Sequence, residues 1–500
     1  MHMPDPKETG LVHIVGIGGI GMSAIAEVMH TRGYTVQGSD IKDSPNLERL
    51  RARNVRCLIG HDPANIEGAA HVVISTAVKA GNPEFEAAKE RGIPIIRRAE
   101  MLAELMRPCA TVSITGTHGK TTTTSLIADL LKGGGLDPTV IAGGIVNGWG
   151  TNARIGRGDW MVVEADESDG TFLKLPTQIG VVTNIDPEHM DYWLTLPALH
   201  QGFQQFIEAI PYYGLAVACI DHPVVRELLA KLGGAANGRR TLTYGVARDA
   251  DIRLANVRPE RARIVFNARL GFAVKGGARL LEDLMLSVIG HYNALNALAA
   301  LAVAAEAGVS DDAIRTGLAS FSGVKRRFTH VGEWQGVQVY DDYAHHPVEI
   351  AAVLRAARVA GNGRVIAVIQ PHRYTRLQSL FNEFSACLDD ADIALVTPVY
   401  SAGEAPIPGI DRDELASGLR RHGHPKVLTV DGEEGLVETV AALAQPGDLV
   451  VGLGAGTITD WINALPYKLA DQGARPRTRW STRLISLPIS RCACQSCEAS

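Results

Sequence analysis

Five hundred residues are too many for one hydrophobic core of ordinary size and point to about two to four domains. With 46% apolar and 21% charged residues the composition is that of a packed globular protein, which excludes a disordered or fibrous chain. A net charge of -5, from 49 basic and 54 acidic side chains spread along the sequence, gives no electrostatic case for nucleic acid or an anionic membrane, so small ligands are the expected partners.

The first ten residues, MHMPDPKETG, lack the basic and apolar regions of a secretory signal, and no run reaches the ~18 apolar residues of a membrane span. A cytoplasmic protein with no membrane insertion is expected. Of seven cysteines, Cys57, Cys109, Cys219 and Cys387 lie far apart in apolar or mixed surroundings and read as reduced thiols. Cys492, Cys494 and Cys497 form a C-x-C-x-x-C cluster in an arginine-rich end; three metal ligands without a fourth leave it a feature of the tail.

In chain order, LVHIVGIGGIGMSAIAEVMHTRGYTVQGSD predicts strand, glycine turn, helix and second strand, the opening of a Rossmann-like unit over residues 1–108. HVVIS and GIPII continue it. ATVSITG then leads into a second glycine loop and the helical run TTSLIADLLKG, and opens a central α/β unit of P-loop type over 109–323 that includes WMVVEAD, IGVVTNID and the helix after GHYNALNA. After the basic turn VKRRF at 324–328, four apolar strands in GVQVYDDYAHHP, RVIAVIQPHRYTR, IALVTPVY and DLVVGLGAG predict a C-terminal Rossmann-like α/β unit over 324–466. From Tyr467 the periodicity is expected to dissolve, leaving 467–500 as a tail. Ligands of open parallel sheets bind beyond the carboxyl ends of the strands, so three such units can converge on one cleft.

The strongest local signal is Gly116-Thr117-His118-Gly119-Lys120-Thr121-Thr122, between an apolar strand and a helix. Its amides and helix N-terminus can cradle phosphates, Lys120 can neutralise the outer ones and the Thr121 hydroxyl can ligate magnesium, although Ile114 stands where a full P-loop has its first glycine. Glu164, Asp166, Glu167 and Asp169 cluster at the next strand end, with His189 after the following one. Carboxylates suit magnesium; histidine is a softer ligand that also tolerates manganese. Gly16, Gly18, Gly19 and Gly21 satisfy G-x-G-x-x-G after a strand, with Asp40 where a hydroxyl-binding acid belongs, a pattern that a UDP-sugar fits as well as NAD does. An NAD-dependent dehydrogenase accounts for this loop but leaves Lys120 and Glu164 idle; an ATP-driven binding module leaves the C-terminal clamps unexplained. Those clamps are Asp341, Asp342, Tyr343, His345 and His346 at one strand end, and His372, Arg373 and Arg376 at the next, where guanidinium forks suit carboxylate or phosphate. The pair His345-His346 reads as one cleft and one structural histidine.

As a set, GTHGKTTTT, EADESD, TNIDPEHMD, GHYNALNA, VKRRF, DDYAHHPVEI and QPHRYTR resemble the Mur ligases in order and spacing, from Leu11 to about Trp461. GIGGIGMS, the GSD after it, and DDYAHHP with QPHRYTR are most similar to the branch that joins L-alanine to UDP-N-acetylmuramate rather than to the branch that attaches a ready-made tripeptide. The resemblance implies ATP-dependent ligation through an acyl phosphate, in cytoplasmic peptidoglycan precursor synthesis, by a monomer or homodimer. It implies that Gly16, Gly18, Gly19, Ile20, Gly21, Met22 and Ser23 hold the UDP pyrophosphate, with Asp40 and Ser75 nearby. Gly116 through Thr122 with Lys120 would hold the ATP phosphates, Thr121 a first magnesium, and Glu164 a second that His189 also contacts. Asn293 and Asn296 would face adenine, Arg327 a nucleotide phosphate and Asp342 the ribose. Tyr343, His345, His372, Arg373 and Arg376 would shape the alanine pocket and the reacting carboxylate, with His189 and His345 the candidates for the base. Tyr292 departs from the family's usual histidine, and no lysine between Lys174 and Lys231 is available for the metal-positioning carbamate of some members.

Overall fold

The computed structural model describes residues 5–233, 238–260 and 263–473. Strands Arg56–Ile59, Val36–Asp40, Leu11–Val15, Ala69–Ile74 and Ile95–Arg97 lie side by side in that order, all parallel. Val12, Ile14 and Val15 are all buried, as a parallel strand covered on both faces requires. The chain leaves Leu11–Val15 first to one side and later to the other, and the reversal opens a crevice beyond the carboxyl end of this strand.

The second sheet has ten strands. Its parallel part runs from Ile252–Glu260 through Arg240–Gly245, Leu215–Cys219, Ile179–Val182, Ala110–Thr115 and Trp160–Glu164 to Thr139–Val146. Antiparallel strands Arg263–Leu270 and Arg279–Leu286 extend one edge and Thr151–Arg154 the other. Helix His291–Glu306 is alanine-rich and buried almost all round, packed in one core with helix Lys120–Gly133. The third sheet has six strands, five parallel, with Thr329–Trp334 antiparallel on its edge.

The seams between these units differ in kind. One apolar cluster runs continuously from Val12, Ile25 and Met29 of the first unit to Ile141, Val163, Phe203 and Leu232 of the second. Helix Ile20–Thr31 carries this contact, fixed by the Asn152 side-chain amide donating to the Ile20 carbonyl at 2.9 Å. The described apolar clusters of the third unit stay within it.

The periodicity does not end at Tyr467. Helix Ile458–Gly473 continues through Pro466, and Ile462, Leu465 and Leu469 prolong the buried stripe begun by Ile458. The Cys492, Cys494 and Cys497 cluster lies outside the described residues. Among the described residues no helix is long and apolar enough to cross a membrane.

Candidate functional site

At the first crevice the Gly16 and Ile17 amides donate to the Ser39 carbonyl at 2.8 and 3.0 Å, and the Gly18 amide donates to Asp40 Oδ2 at 2.9 Å. Asp40 thus closes the glycine loop, its Oδ1 also accepting from the Ile41 amide. Gly19 caps helix Ile20–Thr31 without a side-chain bond, so amides of the first turn remain for an anion. The Met22 and Ser23 side chains are both buried; Ser23 spends its amide on the Gly19 carbonyl and its hydroxyl on that of Ile20, while the Met22 amide belongs to the first turn. Ser75 follows strand Ala69–Ile74 at the same rim. Arg98, which carried no motif, reaches this rim as well: a Cβ on Gly21 would stand 3.2 Å from its Nη1, and its guanidinium lies 3.5 Å from Asp169 of the central unit. With Thr76, Arg97 and Lys174 it lines a cavity of about 150 Å³ between the two units.

The second glycine loop leaves strand Ala110–Thr115 with Gly116 at φ 129° and Gly119 at φ 83°. Both positions also forbid a side chain sterically, since a Cβ would come 2.1 Å from Thr183 Oγ1 and 2.6 Å from Asn296 Oδ1, respectively. The Thr117 and His118 amides donate to the carbonyl and side chain of Asn184, and the Thr183 hydroxyl donates to the His118 carbonyl, which locks the loop onto the neighbouring strand end. Gly119 caps the following helix without a side-chain bond. Lys120 folds back onto its loop, donating to the Gly116 carbonyl at 2.6 Å and to Glu167 Oε1 at 2.9 Å. Burial works against its charge, but the carboxylates of Glu167, Asp166 and Glu164 outweigh this and hold the ammonium well above the usual lysine range.

Thr121 donates to Glu164 Oε1 at 3.1 Å, and Glu164 is gripped from the other side by the Gly143 amide. His189 falls with Asp166 and Glu167, the three offering ligand atoms within 4.8 Å of one another. The expected metal residues therefore form two adjacent groups, Thr121 with Glu164 and His189 with Asp166 and Glu167. The Lys120 ammonium, donating to Glu167, reaches the second group.

A cavity of about 300 Å³ opens beside the phosphate loop, lined by His118, Gly119, Thr122, Tyr292, Asn296, Arg327, Asp342 and Glu349. Asn293 supports it from one turn back, its amide oxygen accepting from Asn296 at 3.4 Å and its Nδ2 donating to the Ile289 carbonyl. Asp342 accepts from the Phe328 and Ala344 amides, both at 2.7 Å, while burial, resisted by Arg327, pushes its carboxyl up to about 6. Tyr292 occupies the cavity wall where the family pattern has histidine.

The C-terminal clamps face the end of the His189 segment across a cleft of about 340 Å³ lined by Glu188, His189, Asp191, Arg373, Thr375 and Arg376. Arg376 donates to Glu188 at 2.8 Å and Arg373 to Glu404 at 2.6 Å, with Asp191 3.7 Å away. His345 lies 3.6 Å from Glu188, and Tyr343 lies under the Arg326 guanidinium at 4.7 Å. His372 stacks on Tyr400; burial, then the charges of His345, Arg376 and Arg373, lower its ring to about 4. His346 is the structural member of its pair, buried with its ring 5.0 Å from that of His118 and capping helix Pro347–Ala360. Asp341 is structural too, accepting from Thr459.

Sequence reasoning singled out neither Asp186, which holds His118 within the central unit, nor Glu188 and Glu349, which join the central unit to the C-terminal one. His118 lies 3.2 Å from both Asp186 and Glu349; burial opposes its charge, but these carboxylates raise it to about 9. The signal was confined to the quoted runs TNIDPEHMD and DDYAHHPVEI, which contain all three residues.

Three family models match: Mur ligase family, catalytic domain, over residues 11–108; Mur ligase middle domain over 114–304; and Mur ligase, glutamate ligase domain, over 326–456. The UDP-N-acetylmuramate--L-alanine ligase of Bradyrhizobium diazoefficiens is 58% identical over 464 residues, 93% of this chain and 98% of the relative. That of Methylobacterium radiotolerans is 57% identical over 468 residues, 94% and 99% of the two chains. Among solved structures, the UDP-N-acetylmuramate-alanine ligase of Thermotoga maritima superposes with a TM-score of 0.76 at 27% identity, covering 93% of this chain and 100% of that one. A murein peptide ligase from Psychrobacter arcticus, at 22% identity and a TM-score of 0.65 over 92% and 99% of the two chains, shares the fold. Matched by the family's models in all three units, and by full-length relatives at more than half identity, the chain belongs to the Mur ligase family.

Proposed function

We propose that the protein joins L-alanine to the lactyl carboxylate of UDP-N-acetylmuramate at the expense of ATP, a step of peptidoglycan precursor synthesis in the cytoplasm. The observation that carries this reading is the near-complete alignment, at 57–58% identity, with relatives named for that activity. The convergence of glycine crevice, phosphate loop and arginine cleft on the seams between three sheets supports it.

A carboxylate is a poor electrophile; transfer of the ATP γ-phosphoryl group to it forms an acyl phosphate, and attack by the alanine amine releases phosphate and forms the amide. The amides of the first helical turn, from Ile20 to Met22, and Arg98 receive the pyrophosphate of the UDP-sugar. The loop from Gly116 to Thr122 receives the ATP phosphates, with Lys120 swinging from its own carbonyls to the outer ones. Asn296, Tyr292, Arg327 and Asp342 enclose the nucleoside and its phosphates. Arg373 and Arg376 hold the carboxylates of the amino acid and the reacting group, and His189 or His345 takes the amine proton.

The donors around Thr121 fit a hard divalent cation: hydroxyl and carboxylate oxygens, with Gly143 so close to Glu164 that a Cβ there would meet its Oε1 at 2.5 Å. Thr121 and Glu164 would hold one magnesium ion, and Asp166, Glu167 and His189 another, with manganese a substitute suited to the histidine. Magnesium there supplies charge neutralisation for the transferring phosphoryl group. Prearrangement of three reactants lowers the barrier by roughly 7 to 11 kcal/mol, more than any one acid or base.

The test is phosphate release from ATP with magnesium and UDP-N-acetylmuramate, each amino acid being added in turn and the products weighed by mass spectrometry. Release that depends on L-alanine, with a product heavier by one alanine residue, is expected. Release that depends on a tripeptide and ignores alanine would replace the substrate assignment.

A further inference from the structure

Glu349 stands in the first turn of helix Pro347–Ala360, where a carboxylate matches the helix dipole and is held in place. Its side chain is 10% exposed and makes three contacts, each with a group from a different part of the site. Oε1 lies 3.2 Å from His118 Nδ1 in the phosphate loop and 3.5 Å from Arg327 Nη1 beside the nucleotide cavity. Oε2 accepts from the His345 amide at 3.2 Å and lies 3.5 Å from the ring Nδ1, at the entrance to the arginine cleft. The opposite nitrogen of His118 faces Asp186, which also holds His222 at 3.3 Å. His118 is thus clamped between one carboxylate of its own unit and one delivered by the C-terminal unit. Opening the cleft would leave the first contact in place and break the second.

We infer that Glu349 is a positioning residue that aligns the phosphate loop with the amino-acid pocket when the central and C-terminal units close, acting through His118 and His345. A bare carboxylate beside a polyphosphate would repel it, so the ground-state affinity for ATP gives no reason for an acid here. Its use lies in the three basic side chains it gathers, which fix the relative placement of ATP and amino acid; a misplacement of about 1 Å at such a distance costs on the order of 100-fold in rate. The effect therefore falls on turnover rather than on nucleotide binding.

This inference rests on the ligase reading, and one set of assays separates the two. The full-length wild type is first assayed with magnesium, ATP, UDP-N-acetylmuramate and L-alanine; absence of an alanine-dependent product sinks the ligase reading and the inference with it. Given activity, Glu349→Gln, His118→Gln and the double variant are compared. Glu349→Gln is expected to lose on the order of ten-fold or more in kcat, with the KM for ATP within about two-fold of wild type and the thermal melt retained. The double variant is expected to be no slower than about the worse single one, because both substitutions break one coupling. Glu349→Asp, which keeps the charge on a shorter arm, should recover part of kcat. Losses that multiply in the double variant overturn the inference, as does a Glu349→Gln enzyme within about two-fold of wild-type kcat. A lowered melt accompanied by raised KM values for all three substrates marks a role in folding alone and overturns it equally.

Discussion

Lys120 donates to Glu167 and to two carbonyls of its own loop, and removing its ammonium leaves the carboxylates of Glu167, Asp166 and Glu164 around the phosphate site without their cation. Lys120→Ala is expected to lower kcat by about 10²- to 10³-fold, the usual cost of one electrostatic stabiliser of a transition state, with the fold retained by circular dichroism. Glu84 shows the same physics away from the chemistry. It lies buried beneath the glycine crevice, in contact with His13, His61, Ser39 and Asn65, and Ser39 is the residue whose carbonyl holds the Gly16 and Ile17 amides. Burial alone would raise its carboxyl, but His13, Ser39 and Asn65 pull it from 4.5 down to about 2. A depressed carboxyl contributes stability above its unfolded value near 4.5 and loses it as the pH falls toward 2, a term on the order of 3 kcal/mol. Urea unfolding at pH 7 and pH 3.5 should show a smaller acid loss in Glu84→Gln than in wild type; equal losses would remove Glu84 from the account.

Whole elements were legible where the signal was local. Glycines spaced for a turn between an apolar strand and a helix announce both anion loops, because turn chemistry is written within a few consecutive residues. The Gly119 backbone at φ 83° follows from that chemistry, and Gly119→Ala would meet Asn296 as well as the left-handed penalty. It should destabilise the central unit by about 1 to 2 kcal/mol and weaken ATP binding, measured by thermal melting and by titration with nucleotide. The arginine-rich segment hid the end of the last helix, where the periodicity is expected to dissolve at Tyr467, whereas Leu469 continues the buried stripe and Pro466 packs against Gly332. The partners of the clamps were not legible at all. Arg376 meets Glu188 across 188 positions of sequence, and no periodicity or spacing encodes a pair brought together only when two separately built sheets face each other.

At the scale of the molecule, the two seams respond to different variables. Beside the backbone bond from the Lys325 amide to the Ile145 carbonyl, ionisable side chains join the C-terminal unit to the central one: His118 with Glu349, His345 and Arg376 with Glu188, Arg373 with Asp191. Such contacts weaken as the Debye length falls toward ~3 Å at 1 M salt. His118, raised to about 9 by Asp186 of its own unit and by Glu349 across the seam, loses its attraction for Glu349 as the pH passes 9. Distances between labels on the central and C-terminal units should therefore lengthen in 1 M salt or above pH 9, while labels across the first seam stay put; equal movement at both seams would contradict the assignment. The first seam has a further consequence, in the order of synthesis. Helix Ile20–Thr31 packs on strands Thr139–Val146 and Thr151–Arg154, so the N-terminal sheet cannot bury its inner helix until these strands of the central sheet have left the ribosome. At about 5 to 20 residues per second, that is a wait of roughly six to twenty-five seconds with helix Ile20–Thr31 exposed. Nascent chains stalled before Arg154 should need a chaperone that chains stalled well after it do not.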